Sequence, residues 1–294
     1  MISSLSRIIN TNLLLLCLIT SCFSFAQDNE EKIKEIKALS DKSYKSYLEY
    51  KSEESLEYAK QGNKIALEIG DSKSIAKTYN QIARAYTIMG KEKEALEYIE
   101  KALAEKFTLG EPLLHAKLII LKADNHARLG LDEIANKETF EALDLLKNET
   151  EPAALLEKAS IYYFISKDFY DKKDYNSVIK YENLNGEILK TMDEKKVYPQ
   201  MNSMYSLKGS AFLETKKFDS AYHYFTKAYE LQKKYDESNL YQVYILLGNY
   251  YYKMDDDKKA LEFYLKSVEN YKSLQINDPL CYKFTKTFLK SMVR

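Results

Sequence analysis

The chain has 294 residues, with 44 basic and 44 acidic side chains and so no net formal charge. It holds only 8 Gly and 4 Pro, no Trp, and 26 Tyr. Scarce breakers favour long helices, and charge balance argues against a general polyanion binder, which needs a basic surplus. Of the three cysteines, Cys17 and Cys22 lie near the start and only Cys281 lies far from it, which excludes a disulfide framework or a cysteine metal cluster in the remainder of the chain.

Residues 1–26 have the layout of an export signal: Arg7, an apolar core from Leu13 to Ile19, and small residues at Ser24 and Ala26. The apolar stretch ends at Ala26 and is shorter than the roughly 20 residues a membrane span needs. Cleavage after Ala26 is expected, placing the mature chain in the periplasm or cell envelope. The alternative lies in Ile19-Thr20-Ser21-Cys22, which resembles a lipobox. Acylation of Cys22 would anchor the chain to a membrane, the one membrane contact expected.

From there a pattern recurs. Small or short side chains stand at Ser55, Ala95, Ala135, Val178, Ala221 and Ala260. Twelve residues before each anchor is Ser43, Ala83, Ala123, Ser166, Gly209 or Gly248, and seven after it is Gly62, Ala102, Ala142, Asn185, Ala228 or Ser267. Three residues beyond the first small position stand Ser46, Tyr86, His126, Phe169, Phe212 and Tyr251, mostly rings. Stripes such as Tyr79, Ile82, Ala83 and Tyr86 have helical spacing.

The pattern is similar to the tetratricopeptide repeat (TPR), a pair of antiparallel helices, A then B, whose small residues let the two backbones approach. The resemblance covers roughly residues 30–275. It implies an all-α, right-handed superhelical solenoid over 27–278 with about six helix pairs, the fourth degenerate because Glu182 and Asn185 replace a ring and a small residue. The usual period is about 34 residues. The longer spacing here implies helices extended by a turn or more. Residues 279–294, with Phe284, Phe288 and Met292 on one face, read as a C-terminal capping helix.

No nucleophile elbow, Gly-rich phosphate loop or paired-histidine motif is present, so neither enzymatic activity nor a metal or cofactor is expected. His126 takes a ring position and reads as a packed core residue. His115 lies eleven residues away, about 16 Å along a helix, too far to share a metal with it. His223 reads as a surface residue. Asp255-Asp256-Asp257 lacks the Gly and Glu of a calcium loop and reads as an A–B turn with a helix N-cap.

In the TPR family the A helices line a concave groove. Carried over position by position, that groove takes Lys77, Asn80, Arg84 and Thr87 from repeat two. Repeat three gives Lys117, Ile120 and Asp124, with Arg128 beside them, and repeat four gives Tyr163, Lys167 and Tyr170. Lys77, Asn80, Arg84, Asp124, Arg128, Tyr163, Lys167 and Tyr170 are the candidate partner-binding residues. A cationic and aromatic groove suits an acidic peptide or protein segment, and no nucleic acid is expected. The carboxylate clamp of chaperone-tail binders is not matched, since Leu121 stands where its second Asn belongs. The function expected is an extracytoplasmic interaction scaffold. The alternative is a sensor module, because exported, tyrosine-rich TPRs resemble the front half of bacterial regulators that continue through a membrane helix to an effector. No such segment follows within these residues.

Overall fold

A computed structural model describes residues 27–49 and 51–274. The expected export signal, the Cys22 lipobox and the capping helix at 279–294 lie outside the described residues. Within them the chain forms thirteen α-helices and no strand. A first helix, α1, covers 27–48. It is followed by α2 (Ser52–Ile69), α3 (Ser72–Ile88), α4 (Glu92–Leu103), α5 (Lys106–Leu109), α6 (Pro112–Arg128) and α7 (Asp132–Leu145). Then come α8 (Pro152–Asp171), α9 (Tyr175–Leu189), α10 (Glu194–Glu214), α11 (Phe218–Asp236), α12 (Tyr241–Lys253) and α13 (Asp257–Ser273). Two compact units divide between Leu145 and Leu146.

The six pairs the repeat implies are α1/α2, α3/α4 and α6/α7 in the first unit and α8/α9, α10/α11 and α12/α13 in the second. All eighteen positions of the three repeat registers are buried, Asn185 included although it replaces a small residue. They sit where A and B cross, and their lack of bulk is what lets the helices close. In the second unit α10 also packs against the other two A helices, α8 and α12. Its core gathers Leu213, Phe225, Val243 and Leu247 at one level and Leu189, Val197, Met201 and Leu231 at another. In the first unit Ala83, Ile99, Leu114 and Leu118 do the same.

Size is balanced across three of the crossings. The residue four after the anchor is Ile99 against Ala83, Phe225 against Gly209, and Tyr264 against Gly248. A Cβ on Gly209 would stand 2.6 Å from Phe225 Cε1, and one on Gly248 2.6 Å from Tyr264 Cε1. Rings fill these two crossings only because glycine faces them. Alongside, the ring of helix A stacks on a ring of helix B in four repeats. The pairs are Tyr86–Tyr98, Phe169–Tyr181, Phe212–Tyr224 and Tyr251–Phe263, with centroids 5.4–5.6 Å apart. Such pairs are worth about 0.5–1.5 kcal/mol beyond the area they bury.

Every A helix ends the same way. The N–H groups of Lys51, Lys91, Leu131, Asp174, Lys217 and Asp256 donate to the carbonyls of Ser46, Tyr86, His126, Phe169, Phe212 and Tyr251, at 2.9–3.0 Å. This is the six-to-one bond of a Schellman cap, which needs a left-handed residue just before the donor. That residue is Gly90 (φ 67°), Gly130 (φ 78°), Lys173 (φ 61°), Lys216 (φ 57°) or Asp255 (φ 57°). In repeats four and six the next residue then caps helix B: Asp174 accepts from Ser177 N and Asp256 from Lys259 N. The three aspartates at 255–257 are thus a turn and an N-cap, as their sequence suggests.

The longer period is met by helix extension in α2, α8, α10 and α11, which run 18, 20, 21 and 19 residues. Repeat two departs from that expectation. There α4 stops after 12 residues and the surplus forms the one-turn helix α5. Ser72 causes the break: its hydroxyl donates to Glu105 Oε2 at 2.8 Å and accepts from Phe107 N at 3.0 Å. Thr108, buried, donates to the Ala102 carbonyl at 2.7 Å.

Candidate partner-binding site

Five of the eight candidates lie in the first unit. On α3, Lys77 is exposed and Asn80 and Arg84 are half-buried. The Arg84 guanidinium carbon lies 4.4 Å from the ring centroid of Tyr47 on α1, and Tyr47 stacks on Tyr44, centroids 6.1 Å apart and planes 10° from parallel. Gln81 fixes the same two helices together by donating to the Ser40 carbonyl at 3.0 Å. The result is a platform of one guanidinium and two rings, with Tyr44 52% exposed. Stacking on a ring leaves the N–H edge of an arginine free to bind a carboxylate in two-pronged fashion.

On α6, Asp124 and Arg128 are both exposed and bound to each other, Nε to Oδ2 at 2.9 Å. Each therefore meets a partner with its charge already largely compensated. Thr87, expected in the groove, is instead buried between α3 and α6, where Asn125 Nδ2 donates to its hydroxyl at 2.9 Å. Tyr44 and Tyr47 were not among the sequence candidates. They hold in repeat one the register positions of Arg84 and Thr87 in repeat two, and that register is the signal that locates them.

Three candidates lie on α8 in the second unit. Lys167 is exposed and makes no ion pair among the described residues. Burial, then the charge of Glu182, raises the Tyr163 hydroxyl above its ordinary range. Burial likewise pushes Tyr170 up to about 12, with Glu214, Tyr175 and Asp171 adding to the effect and a hydrogen bond with Ser210 opposing it. Its ring packs edge-on against Tyr175, centroids 5.5 Å apart. All three are uncharged or cationic at neutral pH, and they project from the A helix rather than from its B partner.

Repeat three carries a further polar group. His126 Nδ1 lies 2.8 Å from Glu138 Oε2, and Lys122 Nζ lies 2.7 Å from Glu100 Oε1 and 3.6 Å from Glu138 Oε1. Burial alone would lower Lys122, but Glu100 and Glu138 outweigh it and hold its ammonium above the usual lysine value. His126 is thus a packed residue with an acid as its partner. His115 is half-buried and His223 exposed. Among the described residues no group of three or more His, Cys, Asp and Glu is placed to hold a metal ion, and no helix is long and apolar enough to cross a membrane.

Two tetratricopeptide-repeat family models match the chain, one over residues 76–107 and one over residues 200–273. The first match takes in most of α3 and all of α4, and the second most of α10 and all of α11, α12 and α13, so both fall on helix pairs of the kind just described. The protein is a tetratricopeptide-repeat protein. No curated protein matches it in sequence. Solved structures match the TPR fold at low identity. BtubC (BKLC) from P. vanneervenii is 16% identical with a TM-score of 0.62, over 84% of this chain and 94% of that one. Aspartyl phosphate phosphatase F from Bacillus subtilis is 15% identical with a TM-score of 0.62, over 84% of this chain and 72% of that one. A STAND-type signal transduction ATPase from Pyrococcus horikoshii, described as having a TPR sensor, is 16% identical with a TM-score of 0.64. This chain spans 38% of its length.

Proposed function

We propose that the protein is an exported interaction scaffold that holds an acidic segment of another envelope protein on the faces of its A helices. The observation that carries this reading is the Arg84–Tyr47–Tyr44 platform, a desolvating aromatic base with a cation on it. Arg and Tyr are the residue types that dominate interface energetics. Lys77 and Lys167 supply further uncompensated positive charge, while Asp124–Arg128 supplies shape more than charge. The fold supports the reading as well. Among structures similar to this one is a Rap protein complexed with Competence and Sporulation Factor, 13% identical with a TM-score of 0.60, over 88% of this chain and 74% of that one. The export-signal layout of residues 1–26 supports a partner outside the cytoplasm. Mass analysis of envelope protein tests this part: Gln27 as the first residue supports it, an acylated Cys22 gives the lipoprotein form, and an intact Met1 in the cytoplasm overturns both.

Binding is tested by capture from an envelope fraction. Replacing Arg84 and Lys167 together with Glu abolishes capture and leaves helicity unchanged, with only the small drop in melting that loss of the Arg84–Tyr47 contact brings, and capture by the wild type weakens with salt. Control substitutions belong on B-helix lysines that touch no ring. Lys101 and Lys227 are unsuitable, since Lys101 lies 4.5 Å over Tyr98 and Lys227 5.6 Å over Tyr205. Lys137→Glu and Lys190→Glu on the B-helix side retain the partner. If these two lose it while the A-helix variant keeps it, the binding face is misplaced. The second reading, a sensor module of a longer regulator, draws on the exported, tyrosine-rich character of the repeats. A partner captured from an inner-membrane kinase or transcription factor supports it.

A further inference from the structure

At the crossing of α8 and α9 a carboxyl stands where the next two repeats place a ring. Glu182 follows its anchor Val178 by four residues, as Phe225 follows Ala221 and Tyr264 follows Ala260. It is fully buried, and Asn185 beside it is 2% exposed. Asn185 Nδ2 donates to Glu182 Oε2 at 2.9 Å. Glu182 Oε1 and Asn185 Oδ1 receive no hydrogen bond. Two acceptors shut away from water without a donor form a costly arrangement.

The helices packed against α9 are α8 and α10. From α8, Ser166 and Tyr163 face the carboxyl. Ser166 gives its proton to the Tyr162 carbonyl at 2.9 Å, and the Tyr163 hydroxyl feels the Glu182 charge. From α10 comes Lys208, buried, the cation that acts on Glu182. Its ammonium donates to Asn183 Oδ1 and sits 4.5 Å over the ring centroid of Tyr224. Burial pushes Glu182 up to about 7, against smaller opposing pulls from Asn185, Ser166 and Lys208. The repeat-three lysine at the same register, Lys122, bridges the two positions that Asn183 and Tyr224 hold here: its ammonium lies 2.7 Å from Glu100 Oε1 and 3.6 Å from Glu138 Oε1.

We propose that Glu182 and Lys208 form a proton-controlled latch between repeats four and five. With Glu182 neutral, the ammonium stays on Asn183 and over Tyr224. When the Glu182 O–H bond breaks and the proton leaves for solvent, the carboxylate becomes the stronger acceptor and draws the ammonium onto Glu182 Oε1 and Asn185 Oδ1. An ammonium has three donors and no acceptor, which is what two donorless oxygens need. The move releases Asn183 and uncovers the Tyr224 ring, so α9 and α10 are held by different contacts on either side of neutrality. The direction of the linkage follows from the raised value. Stability contributed by neutral Glu182 is fully present below the ordinary carboxylate range and is lost as pH rises to about 7.

Carbon-detected NMR of the protein with labelled Glu and Lys tests the latch. The Glu182 carboxyl carbon titrates near neutrality. The Lys208 side-chain methylene next to the ammonium, shifted by the Tyr224 ring current at low pH, loses that shift with the same midpoint. In Glu182→Gln the Lys208 signal no longer depends on pH, and the fall in melting temperature between about pH 5 and pH 7.5 flattens. Lys208→Met moves the Glu182 midpoint upward by about one pH unit or more, a readout that stands even if Glu182→Gln fails to fold. A Glu182 midpoint in the ordinary carboxylate range overturns the proposal. So does a Lys208 signal that stays constant through a Glu182 titration near neutrality.

Discussion

His126 Nδ1 stands 2.8 Å from Glu138 Oε2 at the two positions where repeats two, four, five and six stack one aromatic ring on another. The exchange keeps the geometry of the crossing and replaces dispersion with a polar contact that depends on both members.

That dependence makes the pair testable as a unit. His126→Ala leaves a nearly buried Glu138 oxygen without its partner and costs roughly 1–3 kcal/mol. The double replacement His126→Phe with Glu138→Tyr rebuilds the stacked pair of the other repeats and restores melting to the wild-type level or above. Urea unfolding of the two singles and the double in a mutant cycle gives the coupling. A double variant weaker than the sum of its singles shows that the repeat-three crossing does not admit two rings.

The glycine crossings make a second prediction. Gly248→Ala sets a methyl 2.6 Å from Tyr264 Cε1, closer than real contacts allow, and destabilises by about 1–3 kcal/mol, with Gly248→Leu worse. Tyr264→Ile placed in the Gly248→Ala background copies the Ala83/Ile99 solution of repeat two and recovers much of the loss. Thermal melting followed by circular dichroism reads both. An unchanged melting curve for Gly248→Leu means the helix register is wrong.

The third concerns the joint between helices. Lys216 holds φ 57°, a region in which a side chain costs roughly 1 kcal/mol, while repeats two and three use Gly90 and Gly130 there. Lys216→Gly relieves that strain at the price of a looser unfolded chain, and the net is a gain of about 0.5 kcal/mol. Denaturant midpoints measured with unchanged slopes decide the sign. Lys216→Val, by contrast, loses stability, because a β-branched residue suits this conformation least.

The helix pairs and their crossings were legible because crossing distance is set by local volume, and volume is written at fixed spacing in the chain. Ser43 and Ser55 show how directly: their hydroxyls lie 3.2 Å apart, each donating to the other residue's carbonyl at 2.9 Å. The break after α4 was not legible, because it depends on Ser72 reaching Glu105 and Phe107 across 33 and 35 residues. The candidate site was legible as a register and not as an electrostatic surface. Position alone marks Lys77, Arg84, Arg128 and Lys167 as equals. Side-chain geometry then gives Arg128 to Asp124 and Arg84 to Tyr47, and leaves Lys77 and Lys167 uncompensated. Thr87 shares the same register, but the close approach of α3 and α6 carries it inside.

The joint that ends each A helix is always three residues long, at 49–51, 89–91, 129–131, 172–174, 215–217 and 254–256. The connections from B to the next A run from two residues, at 70–71, to eight, at 104–111. Drift in chain length has therefore been confined to one end of every helix pair. Sequence can be added or trimmed there, as α5 shows, without disturbing how A meets B. A reporter peptide spliced between Lys190 and Thr191 would be carried as a passenger, whereas one spliced at 215–217 would dismantle the pair.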